Sequence, residues 1–301
     1  MVKCPCSYMA EVYIIEKEVK DGILQRRQKM KKLIKAAQYI TRAGVLYLLA
    51  VTPRVVNRPD TGLFRKKYFA HRGLHDNSGE APENSMEAFR RAVDAGYGFE
   101  LDVQMTKDGI PVIFHDSTLE RMCGVKKELG DCTYEELQQF TLAGSGERIP
   151  KLEDMLRMVD GRVPLIVEIK SEKKDVSFCA VIDRMLRDYR GEYCIESFNP
   201  LVLIWYRIHH NSVVRGQLAS NFRMDGNNKN VIYFFMTHLL LNFLTGPDFI
   251  AYNHQFKEEP GRRICRTLYG HPAVAWTIRS REELEKMAKE FDVFIFENFL
   301  P

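Results

Sequence analysis

The sequence has no apolar run long enough to cross a bilayer as a helix. Its most apolar N-terminal stretch, Ala43–Val51, is nine residues, or fourteen if Tyr39–Thr52 is counted with Arg42 inside it, against the about 20 that a spanning helix needs. No small-x-small cleavage signature precedes Pro53. Paired cysteines are also missing: the seven, at 4, 6, 123, 132, 179, 194 and 265, are odd in number and scattered. That argues against a disulfide framework and fits a reducing compartment, so the expectation is a cytoplasmic or membrane-associated protein. Cys4 and Cys6 could in principle bind metal, but no second Cys/His pair lies near them, which favours the plain reading. A strong charge balance is absent too, since 44 basic residues against 40 acidic ones leave +4, which makes no general case for nucleic acid. There is no short internal repeat, and 45% hydrophobic with 28% charged residues excludes wholesale disorder and collagen-like structure. A length of 301 residues is enough for two average domains or for one α/β barrel with an extension.

The modest charge is unevenly spread. Residues 1–35 carry nine basic residues against Glu11, Glu16, Glu18 and Asp21, a local +5, so the remainder is close to neutral. The cluster Arg26, Arg27, Lys29, Lys31, Lys32 and Lys35 sits just before the apolar run. A basic flank beside a short apolar stretch suits a helix lying in the membrane interface, which makes residues 26–56 a candidate for membrane association. A helix packed on the domain is the alternative. The cluster lacks interleaved stacking aromatics, which argues against nucleic acid as a partner. Met30 is an alternative start; on that reading residues 1–29 are an upstream extension.

From about residue 66 the chain alternates. Short apolar or β-branched runs at Tyr68–His71, Phe99–Val103, Val112–His115, Val163–Lys170, Tyr193–Phe198, Val213–Leu218, Phe249–Tyr252, Ala273–Ile278 and Val293–Phe296 read as strands. Helical patterns fall between most of them: Ser85–Ala95, Thr133–Phe140, Lys151–Val159, Val176–Tyr189, Pro200–His209 and Arg281–Lys289. Asn84/Ser85 with Glu87, Thr133 with Glu136 and Ser280 with Glu283 mark helix starts. Such alternation implies a mainly parallel sheet. Nine strands are one more than a (β/α)8 barrel uses, so one is expected to be a hairpin partner. The fold expected is α/β, a (β/α)8 barrel over residues 66–301 behind an N-terminal helical segment, 1–65. Residues 219–248 break the rhythm: a polar loop, Asn221–Asn230, precedes Val231–Leu244, which is apolar on nearly all faces and is expected as a buried or lid helix.

Chemistry gathers at strand ends, where such a barrel places its site. Phe69-Ala70-His71-Arg72-Gly73 ends a strand on His-Arg-Gly, with an arginine fork suited to phosphate. In Glu100-Leu101-Asp102 the two-residue period puts both carboxylates on one face. Two such groups inside a barrel repel unless a cation lies between them, and oxygen ligands suit Mg²⁺ or Ca²⁺. Val112-Ile113-Phe114-His115-Asp116 is another apolar strand ending in histidine. Val167-Glu168-Ile169-Lys170 pairs a third carboxylate with an ammonium; the plain alternative is an ion pair. Together these residues have the parts for metal-assisted phosphodiester cleavage, with His71 and His115 as general acid and base.

The ordered set of motifs resembles the glycerophosphodiester phosphodiesterase family. It comprises His71-Arg72-Gly73, Pro82-Glu83-Asn84-Ser85, Ala95-Gly96, Glu100-Leu101-Asp102-Val103, Thr106-Lys107-Asp108-Gly109, Val112–Asp116, Ile149-Pro150-Lys151-Leu152-Glu153, Val167–Lys170, Ser197-Phe198-Asn199-Pro200 and Ala275-Trp276-Thr277-Ile278. The likeness covers residues 66–300 and is most specific in its first half. It implies a (β/α)8 (TIM) barrel that hydrolyses glycerophosphodiesters to sn-glycerol 3-phosphate and an alcohol with one divalent cation. His71 and His115 would be the acid/base pair and Glu100, Asp102 and Glu168 the metal ligands. Arg72 and Lys170 would hold the phosphate, Trp276 would line the substrate pocket, and Glu83 and Asn84 would support the site. Attack by water or by the neighbouring glycerol hydroxyl, through a cyclic phosphate, are both open. The family closes on Thr-Asp-x-Pro, whereas this chain ends Ile295-Phe296-Glu297-Asn298-Phe299-Leu300-Pro301, a departure expected to touch none of these residues. Two rival readings are a lysophospholipase D or lyase acting on a single-chain lipid at the membrane, and a non-catalytic, membrane-attached phosphate-binding module.

Overall fold

The computed structural model of the chain describes residues 5–172, 174–224 and 231–301, with side chains of the first helix described at Lys20 and from Gly22 on. Contacts divide the chain into two units, Met1–Leu49 and Ala50–Pro301. The first consists of most of one long helix, Pro5–Val51, whose Ile23, Leu33, Ile34, Ile40 and Leu46 side chains are exposed. No helix among the described residues is long and apolar enough to cross a membrane. Cys4 and the side chain of Cys6 lie outside the described residues; the other five cysteines are free.

The second unit is built on nine strands: β1 (Tyr68–Ala70), β2 (Gly98–Met105), β3 (Pro111–Ile113), β4 (Leu165–Ile169), β5 (Tyr193–Ser197), β6 (Arg215–Ala219), β7 (Phe249–Asn253), β8 (Ala273–Ile278) and β9 (Val293–Phe296). All but β3 pair in parallel, and β1 pairs with both β9 and β2. The sheet therefore closes into an eight-stranded barrel with helices between successive strands. The extra strand is β3, which lies antiparallel on β2 with Ile113 opposite Val103. His115 thus follows a hairpin arm, not a barrel strand as the sequence suggested.

The helix starts follow from local chemistry. The Ser85 hydroxyl accepts the Ala88 N–H at the head of Met86–Asp94, and Thr133 and Glu136 form a reciprocal capping box. Ser280 accepts from the Glu283 N–H, but the Glu283 carboxylate takes the Arg279 N–H, so that box is half made. The apolar segment Val231–Leu244 departs from expectation. It forms two short helices, Val231–Thr237 and Asn242–Thr245, broken near Leu239, which has a left-handed φ of 56°. Met236, Leu239 and Asn242 are buried, while Val231, Phe234, Phe235, Phe243 and Leu244 are exposed. A segment without a polar face cannot bury all its sides against one barrel wall. In the polar loop before it, residues 225–230 lie outside the described residues.

Strand residues alternate between two cores. Phe99, Leu101, Val103, Val167 and Ile169 face the surrounding helices, whereas Phe69, Ile166, Cys194, Phe249, Val274 and Ile295 fill the barrel. Residues 50–65, expected with the N-terminal extension, belong with the barrel. Leu63 and Phe64 enter its inner core, where the Phe64 ring meets Phe69 at 6.2 Å and Phe249 at 4.9 Å, both edge to face. These residues plug the end from which the strands start. Gly98 makes room for this core: a Cβ there would lie 2.7 Å from the Phe69 ring and 2.8 Å from the Pro164 carbonyl oxygen. Because the backbone contact cannot rotate away, Gly98→Ala is expected to destabilise the barrel by about 1–3 kcal/mol, read as a lowered denaturation midpoint. An unchanged midpoint would refute this packing.

Candidate active site

The C-terminal ends of β1, β2, β4 and β9 bring the acidic and basic groups together. On β2, Glu100 and Asp102 point into the barrel because Leu101 and Val103 point out. The β2–β4 register sets Asp102 beside Glu168. Glu100, Asp102 and Glu168 are buried, and each offers an oxygen within 4.8 Å of the others.

The cluster is held by hydrogen bonds and ion pairs. The Arg72 N–H donates to Glu100 Oε2 at 3.1 Å, Asn84 Nδ2 to Asp102 Oδ2 at 2.8 Å and Lys170 Nζ to Glu168 Oε1 at 2.9 Å. Lys170 Nζ also lies 3.2 Å from Asp102 Oδ1, and Arg72 Nε 3.3 Å from Asp102 Oδ2. Reaching these positions requires left-handed backbone at two non-glycine residues, Arg72 (φ 55°) and Asn84 (φ 58°), strain of the kind that surrounding contacts must hold in place. Burial works against the Asp102 charge, but Lys170, His115 and Arg72 overcome it and keep its carboxyl well below the usual range. Burial and the neighbouring Asp102 and Glu168 push the Glu100 carboxyl well up. Burial also raises Glu168, against the pull of Lys170.

Each candidate histidine has a carboxylate on Nδ1. His71 pairs with Glu297, and His115 Nδ1 lies 2.7 Å from Asp116 Oδ1. Pairing at Nδ1 leaves Nε2 of each ring to face a ligand. His115 is drawn to the cluster by its hairpin: Phe114 N–H donates to the Asp102 carbonyl at 2.9 Å, and Gln104 Nε2 binds the carbonyls of Phe114, His115 and Asp116. The Asp102 charge acts on both rings. Burial and the Arg72 charge lower His71 to about 4 despite Glu297.

Several of these groups had no role in the sequence reading. The closing segment does touch the site, because Glu297 is the partner of His71 and also accepts from Arg279 Nε at 2.8 Å. Its signal was positional: Glu297 directly follows β9, as His71 follows β1. Arg121 bridges the two halves, donating to Asp116 Oδ2 at 2.6 Å and to Glu83 Oε1 at 2.6 Å. Glu83 in turn accepts from Arg72 Nη1 at 2.6 Å and from Asn77 Nδ2 at 2.8 Å. Glu196, opposite Glu168 in the β4–β5 register, is a fourth buried carboxylate, and its Oε2 makes no hydrogen bond among the described residues. The same-face spacing that marks Glu168 also marks Glu196 within Cys194-Ile195-Glu196-Ser197. Trp276, on β8, is half-buried and meets Phe198 edge to face at 5.8 Å. Beside the cluster opens a cavity of about 630 Å³ lined by Arg72, His75, Asn77, Glu83, Arg279 and Glu297.

The comparisons with known proteins agree with one another. The model of the glycerophosphoryl diester phosphodiesterase family matches residues 71–293. A glycerophosphodiester phosphodiesterase of Bacillus altitudinis is 40% identical over 111 residues, which is 35% of this chain and 44% of that protein. One from Caldanaerobacter subterraneus is 33% identical over 142 residues, 43% of this chain and 57% of that protein. The matched stretches thus span about half the length of these relatives. In three dimensions the chain is similar to an Oleispira antarctica phosphodiesterase solved with its product sn-glycerol 3-phosphate, with a TM-score of 0.62 at 22% identity over 76% of this chain and 92% of that one. That likeness supports the fold.

The half-buried His71 has a consequence for folding. The unfolded chain protonates it near the ordinary imidazole value of about 6.5, whereas the folded chain resists until about 4. Stability should therefore fall as pH drops from about 6.5 through about 4, because the unfolded state binds the extra proton. Glu83 and Glu297, both held to about 2 against burial by their cationic and hydrogen-bonding partners, add a further loss below about 4.5. Urea midpoints for wild type and His71→Gln should converge as pH falls from 6.5 to 4; parallel curves would contradict the half-buried, neutral ring.

Proposed function

The chain belongs to the glycerophosphoryl diester phosphodiesterase family, and on that premise we propose that it hydrolyses glycerophosphodiesters to sn-glycerol 3-phosphate and an alcohol at the C-terminal mouth of the barrel. The observation that carries this reading is the pair of carboxylate-bound histidines, His71–Glu297 and His115–Asp116, flanking three buried acids and two cations. A phosphate-binding module would need the cations but not two oriented imidazoles.

The three acids fit a resident divalent cation. They are all-oxygen donors, close together and shielded from water, and the repulsion that raises Glu100 is what a hard cation relieves. Glu100, Asp102 and Glu168 would hold Mg²⁺ or Ca²⁺, which when bound would offset their charge and polarise a phosphoryl oxygen. Arg72 and Lys170 orient the phosphodiester. Arg72 commits Nη1 to Glu83, leaving Nη2 for a phosphoryl oxygen. His71, neutral at working pH with its Nδ1–H donated in a hydrogen bond to Glu297, takes the proton of the attacking water or glycerol hydroxyl at Nε2. His115 returns a proton to the leaving alcohol. Trp276 and Phe198 form an apolar wall for the glycerol or alcohol carbons.

Replacing His71 or His115 by Ala should lower turnover by about 10²–10⁴-fold or more, and the double variant should lose little beyond either single one if the pair acts as a unit. The assay is release of glycerol 3-phosphate from a panel including glycerophosphocholine and lysophosphatidylcholine. Near-normal turnover by either variant would sink the assignment. EDTA should abolish activity and Mg²⁺ or Ca²⁺ restore it; metal-independent hydrolysis would remove the cation from the account.

We also infer that residues 26–56 associate with a membrane surface. Between Gly22 and Pro59 the sequence has nine basic residues and no acidic one, and Leu33, Ile34, Ile40, Leu46, Val55 and Val56 are exposed. Basic and apolar side chains on one segment suit an anionic headgroup layer.

A further inference from the structure

The end of the barrel opposite the catalytic mouth carries an apolar patch with a basic border. Residues 52–58 lie across this end as a strap tied to the loops that precede three strands. Arg54 N–H donates to the Pro247 carbonyl, just before β7, at 3.0 Å. Arg54 Nη1 donates to the Asn211 carbonyl, before β6, at 2.7 Å. Arg58 Nη2 donates to the Gly270 carbonyl, before β8, at 3.1 Å. On the strap and the loops beside it, Val55, Val56, Phe243, Leu244 and Leu268 are between 44% and 68% exposed. Five large apolar side chains left in water at one end of a barrel are more than scattered surface hydrophobics.

The charge around them is mostly positive. Arg58 and Arg207 bind only backbone carbonyls, those of Tyr269 and Gly270 and of Phe243 and Leu244. Among the described residues no carboxylate forms an ion pair with either. Arg65, Lys66 and Lys67 add three exposed cations where the chain enters β1, Arg65 lying 3.8 Å from the exposed Asp60 carboxylate. Within the barrel unit, from Ala50 to Lys67, there are five basic residues against one acidic, Asp60. Of the nearby acids, Asp248 is buried beside Arg54, and Asp292 is paired with Arg266. A protein partner would call for acidic groups of fixed position. A bilayer surface asks only for apolar side chains that enter the headgroups and cations that meet the phosphates.

We propose that this basal end of the barrel is a docking surface for an anionic phospholipid bilayer. The proposal rests on the membrane association inferred for residues 26–56 and extends it to the loops of the barrel itself. It also fixes an orientation. The strands run from this end to the mouth over about 16 Å, so a protein docked here turns His71, His115 and the acidic cluster toward the aqueous phase. The substrate it then meets is a water-soluble glycerophosphodiester, not a lipid still held in the bilayer.

The test is co-sedimentation of the full chain with phosphatidylcholine vesicles made with and without phosphatidylglycerol. Wild type should bind only the anionic vesicles. Val56→Glu/Phe243→Glu/Leu268→Glu should lower the partition coefficient by roughly tenfold or more, while turnover of soluble glycerophosphocholine stays as in wild type. Arg65→Glu/Lys67→Glu, which leaves the apolar packing alone, should weaken binding in the same direction. The mouth-side variant Met224→Glu/Val231→Glu should bind as wild type does. Unchanged binding by both basal variants overturns the proposal, as does loss of binding in the mouth-side variant instead. A stable dimer that the basal substitutions dissociate would assign the patch to a second copy of the chain and also overturn it. If wild type itself ignores anionic vesicles, the inferred role of residues 26–56 fails and the basal surface fails with it.

Discussion

Three carboxylates kept within 4.8 Å of one another and out of water are the constraint around which the barrel mouth is arranged. Like charges that close in a low dielectric repel strongly, and each loses its hydration as well. The neighbouring chemistry answers that cost. Arg72 and Lys170 lean on Asp102 from two sides, the Arg72 N–H satisfies Glu100, and Asn84 satisfies Asp102. To deliver those groups the backbone adopts left-handed turns at Arg72 and Asn84. Glu100 and Glu168 remain raised by burial, and that residual repulsion is what suits the cluster to a divalent cation.

The same arrangement links the two histidines. An unbroken path of hydrogen bonds runs from His115 through Asp116, Arg121 and Glu83 to Arg72, which lies beside Asp102. On the other side, Glu297 after the last strand and Arg279 after β8 fix His71. Closure of the barrel is therefore also what completes the site, because β9 pairs with β1 and sets Glu297 against the ring that follows β1. A displaced β9 would release His71 without touching the acids.

Much of this was legible in the sequence for a simple reason. Strand residues alternate, so acids placed two apart in apolar runs announce an inward face, as Glu100 and Asp102 do. All nine strands follow from short apolar runs, and the surplus one is the β3 arm. What stayed hidden depends on contacts across the barrel. Glu297 lies 226 positions from His71, and no local pattern ties them. Arg121 acts between two loops, and the sequence gives no measure of their separation. The segment Val231–Leu244 misled because uniform apolarity reads as burial, while the break near Leu239 turns part of it to solvent. Residues 50–65 misled in the opposite direction: they follow the N-terminal helix in sequence but pack Phe64 into the barrel.

The central claim is that the buried acids form a cation site built into the fold. It is tested most directly by calorimetric titration of the metal-free protein with Mg²⁺ and with Ca²⁺, beside a Glu168→Gln variant. The account predicts saturable binding of one ion per chain, coupled to a rise in thermal midpoint, with affinity sharply reduced in the variant. No binding of either ion to wild type, or equal binding by Glu168→Gln, would contradict it.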